Sequence, residues 1–339
     1  MLYSFGVVVF IQIVFILINN TPFATSTLVT DSEWLQYKVQ YNKMYSSVTA
    51  ENLARYNFNN NKILIDIHNV KYATKSVTYK LGVNQFTDMS LVDFKSLFPV
   101  AVYPTFSYDV APQAVNSTPM YFNPIKELGI ISMIEDQGTA CNSGWAYAAA
   151  KSIELGYAYQ NGTPPLVSLS AQNLIDCAGR STTCKTQVPQ TAFDFLSIYG
   201  QSLHTIINYP NRNTQSEQGM CLQSYGPYTR LYSYVRLNNT DDSDLLKYVG
   251  NSYPVVIEFN PASFEFMHYA EGVFKQPSTG KGSHFMVVIG YESDPTTGLN
   301  TWLIQNSFNT SWGENGYFRI VRNQVDIISK SAIYPIIVL

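Results

Sequence analysis

Gln137-Gly138-Thr139-Ala140-Cys141-Asn142-Ser143-Gly144-Trp145-Ala146-Tyr147 is the stretch on which the reading of this chain turns. From Trp145 the run Trp145-Ala146-Tyr147-Ala148-Ala149-Ala150-Lys151 favours helix, and Asn161-Gly162 followed by Pro164-Pro165 supplies a stop. The pattern predicts a helix over about Trp145 to Gln160, with Gly144 at its start. The positive end of such a helix stabilises negative charge, so the residue standing there decides what chemistry is open to it.

Outward from this helix the periodicity changes twice. Upstream, Trp34, Tyr37 and Tyr41, then Leu53, Tyr56, Phe58 and Ile63, recur at spacings that predict two helices between Asp31 and about Asn69. Asp31 and Ser32 are the expected caps of the first, and Ser47 stands just before the second. Val77 to Phe86 reads as a short extended segment. Between about Pro99 and Pro119 the periodicity fades into a proline-bearing linker that carries the sequon Asn116-Ser117-Thr118. Downstream, Tyr253-Pro254-Val255-Val256-Ile257 and Phe285-Met286-Val287-Val288-Ile289 read as strands, which predicts two packed lobes, one helical and one strand-rich.

A chain of 339 residues that is 46% hydrophobic can bury a large core. Its net charge of -3 and 13% charged residues leave no basic stripe to track a phosphate backbone, so nucleic acid is not an expected partner. The apolar run Met1 to Leu17, turning polar at Asn19-Asn20 ahead of Ala24-Thr25-Ser26, reads as a secretory signal cleaved near Ser26, although no Lys or Arg precedes it. The competing reading is an uncleaved membrane anchor; after cleavage no membrane segment is expected. The four cysteines, Cys141, Cys177, Cys184 and Cys221, suit two disulfides in an oxidising compartment. They lack the C-x-x-C or histidine spacing of a zinc site, so no metal is expected.

The quoted stretch resembles the nucleophile region of papain-like cysteine peptidases, whose local signature is C-G-[SA]-C-[WY]. Set against it, Gly144 stands where the nucleophilic cysteine belongs, Ser143 is the small residue, Asn142 replaces glycine, and Cys141 is the structural cysteine. His284 follows at the distance usual for this family, about 130 to 150 residues, and Asn306 lies somewhat beyond it. Gln137 matches the glutamine of the oxyanion hole. Glu51, Arg55, Phe58, Asn61, Ile65 and Asn69 resemble the interspersed motif of inhibitory propeptides, with one spacing a residue short. Gly82, Asn84, Phe86 and Asp88 resemble the G-x-N-x-F-x-D motif that follows it. The shortened motif and the ending Tyr334 to Leu339 look most like the group 1 mite allergens and the inactivated cysteine-protease paralogues of the scabies mite.

The resemblance implies an α+β fold: a helical inhibitory propeptide ahead of a papain-like domain with a helical left lobe and a β-barrel-like right lobe. With the apolar leader read as a signal peptide at 1-26, it sets a propeptide at 27-108 and a peptidase domain at 109-339. It pairs Cys141 with Cys184 and Cys177 with Cys221, and it requires no cofactor.

Without a side chain at Gly144 no acyl-enzyme can form there, so the expectation is a secreted pseudoprotease, extracellular or in a lysosome-like compartment. Its expected partners are proteins or peptides, with protease inhibitors and host proteins among them. An active endopeptidase is the alternative; it requires Cys141 to serve as nucleophile or Gly144 to be an error of the sequence. A second alternative is a propeptide that inhibits active relatives. Other departures from the pattern are the extra residue at Thr139-Ala140, Phe308 in place of tryptophan, and Lys185-Thr186 in place of a glycine-rich wall. Sequons at Asn116, Asn161, Asn238 and Asn309 are candidate glycosylation sites, the last beside the cleft. His204 and His268 match no catalytic position.

Overall fold

The computed structural model describes residues 28–103, 117–163, 168–178, 186–211, 219–222, 228–238, 242–275, 283–323 and 331–337. The signal segment and its cleavage site, the boundary at 108/109, Asn116, Cys184 and Lys185 lie outside the described residues.

The N-terminal unit opens with α1 (Asp31–Gln40), capped by Thr30 and not by Asp31 or Ser32. The reason is a capping box: the Thr30 hydroxyl accepts from Glu33 N–H, and the Glu33 carboxylate accepts from Thr30 N–H. Helix α2 (Val48–Ala73) starts at Ser47 as expected, with the Ser47 hydroxyl accepting from Ala50 N–H at 3.1 Å. The extended segment is shorter than its sequence suggests, only β1 (Tyr79–Leu81). Beyond it Asn84 Oδ1 accepts from Phe86 N–H and Thr87 Oγ1 from Asn84 N–H, each at 2.9 Å, which folds the chain into a turn leading to α3 (Leu91–Ser96).

The interspersed motif residues all face this unit's interior or its seams. Phe58 packs against Trp34 and Tyr37, with ring centroids 5.5 and 4.3 Å away. Glu51 accepts from Trp34 Nε1, and Arg55 pairs with Asp31 at 2.7 Å. Asn61 donates to the carbonyls of Thr87 and Met89, while Asn69 both donates to and accepts from the Leu81 backbone. The motif is therefore the set of contacts that binds α2 to α1, β1 and the turn.

The second unit runs α4 (Pro124–Leu128), α5 (Gly144–Asn161), α6 (Ala171–Cys177), α7 (Pro189–Ser197), β2 (Leu203–His204), β3 (Tyr228–Thr229), β4 (Ser233–Asn238), α8 (Asp242–Gly250), β5 (Val255–Phe259), α9 (Phe264–Met267), β6 (Tyr269–Gly272), β7 (His284–Ser293), β8 (Asn300–Gln305), β9 (Tyr317–Val321) and β10 (Ser331–Ile336). Six strands form one antiparallel sheet in the order β4-β10-β5-β7-β8-β9. Helices α5, α6 and α7 make the helical lobe, and α5 packs mainly against β7, with β10 and β5 beside it.

Helix α5 is apolar nearly all round because it is buried nearly all round, from Gly144 to Tyr159. Gly162, with φ +63°, closes it in a left-handed C-cap, as the Asn161-Gly162 pair predicts. Lys151 is buried in it among Glu135 and Glu154, whose carboxylates lie 3.6 and 2.8 Å from the ammonium. Burial raises the Glu135 carboxyl above its ordinary pKa, with the Lys151 charge opposing. Cys177 and Cys221 form a disulfide, and Cys141 is likewise disulfide-bonded.

Candidate active site

The start of α5, the start of β7 and the segment after β8 converge on one point between the lobes. Gly144 is the first residue of α5, and a Cβ built on it would lie 3.0 Å from His284 Nδ1, 3.2 Å from His284 Cε1 and 3.0 Å from Gln137 Oε1. The structure thus brings together Gln137, Gly144, His284 and Asn306, four positions scattered along the sequence.

His284 is fully buried and held from two sides. Its Nε2 lies 2.7 Å from Asn306 Oδ1, which also accepts from Ser307 N–H at 2.8 Å. Because that oxygen can only accept, Nε2 carries the hydrogen and the neutral ring turns a bare Nδ1 lone pair toward Gly144. Among the described residues neither His284 Nδ1 nor Asn306 Nδ2 has a hydrogen-bond partner. Burial lowers the His284 pKa to about 4 from the ordinary 6.5, against the raising effect of the Asn306 hydrogen bond. The ring is neutral at pH 7.

Phe308, at the position expected for tryptophan, stacks on His284 with centroids 4.6 Å apart and planes 19° from parallel. The aromatic wall is kept with a smaller ring. Gln137 donates its N–H to Ser307 O at 2.9 Å, and its Oε1 accepts from the Ser307 hydroxyl at 2.7 Å. The extra residue at Thr139-Ala140 therefore leaves Gln137 beside the start of α5. Asn142 Nδ2 donates to Thr186 Oγ1 at 3.0 Å and Ser283 O at 3.1 Å, tying the loop ahead of α5 to the opposite lobe.

Neither neighbouring side chain fills the empty place. Cys141 is engaged in a disulfide. The buried Ser143 hydroxyl is 3.5 Å from the Cys141 carbonyl, which is where its bond is directed.

The propeptide covers this point, which no sequence signal located. Phe98 lies edge-on to His284 at 5.2 Å and tilted over Phe308 at 5.8 Å. Gln85 donates to Phe308 O at 2.5 Å and accepts from the Ser311 hydroxyl at 2.8 Å, while Asn84 donates to Met267 O at 2.8 Å. Strand β1 pairs antiparallel with β6, and Ala101 N–H donates to the Ser283 hydroxyl at 2.9 Å. Asn84 and Gln85 lie inside the recognisable G-x-N-x-F-x-D segment; Phe98 has no such marker. An open recess of about 510 Å³ remains beside the site, bounded by Leu97 and Pro99 and by Thr139 to Asn142.

Of the candidate sequons, Asn161 and Asn309 are exposed, and Asn309 directly follows Phe308 at the cleft rim. Asn238 closes β4. His268 is wholly buried, with Nδ1 3.2 Å from Phe264 O, and His204 is half-buried in β2, paired with Tyr228 of β3.

Fold, covering prosegment and His–Asn pair define a class, the proforms of papain-like cysteine peptidases. The papain family cysteine protease model matches residues 118–336, and the cathepsin propeptide inhibitor domain model matches 34–94. The chain is 28% identical over 326 residues to cathepsin L of Sarcophaga peregrina, covering 89% of this chain and 92% of that protein. It is 31% identical over 309 residues to the "Probable cysteine protease RDL6" of Arabidopsis thaliana, covering 88% and 83%. Digestive procathepsin L 3 of Tenebrio molitor larval midgut superposes with a TM-score of 0.75 at 30% identity, over 90% of this chain and 98% of that one. A structure from work on the mite allergens Blo t 1 and Der p 1 gives a TM-score of 0.75 at 23% identity over 89% of this chain and 98% of that one, a likeness of fold. The chain belongs to the papain family of cysteine proteases and carries the cathepsin-type inhibitory propeptide.

Proposed function

We propose that this chain is a secreted pseudoprotease, a papain-fold protein that binds proteins or peptides and does not cleave them. The observation that carries the reading is the juxtaposition of Gly144 with the bare Nδ1 of His284. In an active member of such a fold the helix end and the imidazole act together on a thiolate. Here the helix end and base are present and the atom they would act on is absent, so the covalent route through a thioester has no starting point. What the oxyanion donors and binding alone contribute, roughly 10³- to 10⁴-fold over water when a triad member is lost, is too little for a working peptidase.

Secretion is supported by the apolar leader, the absence of any free cysteine among the described residues, and the two exposed sequons. No helix among the described residues is long and apolar enough to cross a membrane. The ligands we propose are protease inhibitors, peptides or host proteins, bound at the cleft or on a surface outside it. Since the chain lacks its own means of cutting the propeptide, exposure of the cleft requires another protease.

The test is to trim the propeptide with an added protease and assay a fluorogenic peptide under reducing conditions, beside a Gly144→Cys variant and an active-site thiol label. A silent, unlabelled wild type supports the reading, and cleavage by Gly144→Cys shows in addition that the groove is intact. Hydrolysis by the wild type sinks it.

A further inference from the structure

Helix α2 carries two apolar stripes, and its own chain uses only one. Ala54, Phe58, Asn61 and Ile65 are buried against the rest of the protein. At about 100° per residue, Leu53, Tyr56, Asn60, Ile63, Ile67 and Val70 fall on the opposite face. Leu53, Tyr56, Ile67 and Val70 are 60, 64, 54 and 47% exposed, and Asn60 and Ile63 are half-buried. Their spacing is an alternation of three and four residues, the a and d positions of a coiled-coil heptad with Leu53, Asn60 and Ile67 at a and Tyr56, Ile63 and Val70 at d. A protein that exposes so ordered an apolar row usually covers it with a partner.

The flanks identify the partner. In this frame Asp66 is a g residue and Lys71 the following e residue, the two that face each other across a parallel two-stranded coil. No described hydrogen bond or ion pair engages the side chain of Asp66, Lys71 or Asn60. In a parallel pair Asn60 meets Asn60 of the second copy, and the two amides can bond to each other. In an antiparallel pair Asn60 would face Ile63 and bury its amide unpaired, a penalty that disfavours that arrangement.

We propose that the proform self-associates through α2 as a parallel, in-register pair of propeptide helices, with Asn60 opposite Asn60 and each Asp66 paired with the partner's Lys71. The seam lies on the propeptide face turned away from the chain's own packing, so pairing leaves the propeptide on the cleft. The inference is independent of the catalytic state of the cleft. Two and a half heptads make a small interface, so the pair is weak and dissociates on dilution.

The experiment is sedimentation equilibrium of the whole propeptide-bearing chain over roughly 1–100 µM, a range that spans the affinities open to a short interface. The expected result is a mass rising from monomer toward dimer, abolished by Ile67→Lys, weakened by Asp66→Lys and restored by combining Asp66→Lys with Lys71→Asp. An Asn60→Cys variant should cross-link to a covalent dimer through the new thiol under oxidation. Far-ultraviolet circular dichroism of each variant confirms that these exposed positions leave the fold intact. A monomer throughout, or a dimer indifferent to Ile67→Lys, overturns the proposal. A dimer in which Asn60→Cys fails to cross-link overturns the parallel register.

Discussion

His284 Nδ1 and the Cα of Gly144 face each other across a gap that one carbon atom would close, since a Cβ on Gly144 would sit 3.0 Å from Nδ1 and 3.0 Å from Gln137 Oε1. Both neighbours are anchored, His284 by Asn306 and Phe308, Gln137 by Ser307. A Cβ therefore fits with a shift of a few tenths of an ångström in one or the other neighbour, and the room for atoms beyond it depends on the direction in which they leave the Cβ.

This relationship predicts how Gly144 variants behave. Gly144→Ala adds the tight contact but gains helix propensity of up to about 1 kcal/mol, so its Tm should stay within about 3 °C of wild type. Gly144→Leu overpacks the site and should lose about 1–3 kcal/mol in denaturant unfolding. A leucine variant as stable as wild type would mean that its side chain leaves the Cβ toward open space.

Phe98, four residues past the stretch matched by the propeptide model, is the contact with the His284–Phe308 stack and is 2% exposed. Phe98→Ala should cost about 3–5 kcal/mol, the range for a buried phenylalanine, and loosen the propeptide locally. Limited proteolysis should then remove the propeptide faster. The same change admits water to His284, so its pKa, followed by NMR, should climb from about 4 toward 6.5.

His284 and His268 are both buried and both lowered to about 4 by desolvation, from the ordinary 6.5. Each ring binds fewer protons folded than unfolded across that interval. Stability is therefore complete above about pH 6.5 and declines as pH falls toward 4, below which this contribution changes no further. A His268→Phe variant, measured beside wild type, should show a stability–pH slope smaller by up to about one proton between those limits. Parallel curves would show that His268 does not titrate this way.

Asn61 tests the motif's structural meaning. Its buried amide donates to Thr87 O at 2.8 Å and Met89 O at 2.9 Å, the turn that precedes α3. Asn61→Ala should strand both carbonyls at a cost of about 1–3 kcal/mol, and hydrogen exchange in the Asn84–Met89 turn should accelerate. Unchanged exchange there would show that the turn holds itself.

Much of this protein is determined by local sequence. The α5 helix, its Gly162 cap and the Ser47 start of α2 follow from propensity and capping, which act within a turn of the chain. The order of Gln137, Gly144, His284 and Asn306 is likewise legible, because a family's site residues keep their sequence neighbours. The cap of α1 went to Thr30 because a reciprocal bond with Glu33 outweighs the preference of Asp31 or Ser32 for that role. The extended segment shrank to β1 because Asn84 and Thr87 bond locally and turn the chain.

Tertiary structure alone decided the rest. That Phe98 covers His284, that the imidazole is desolvated, and that Gln137 and His284 crowd the space above Gly144 depend on segments brought together from far along the chain. So does the division of α2 into a buried and an exposed stripe, since periodicity marks apolar faces but only packing says which one the chain keeps for itself. Burial and close contact are properties of the assembled whole, and a sequence carries them only through the fold it specifies.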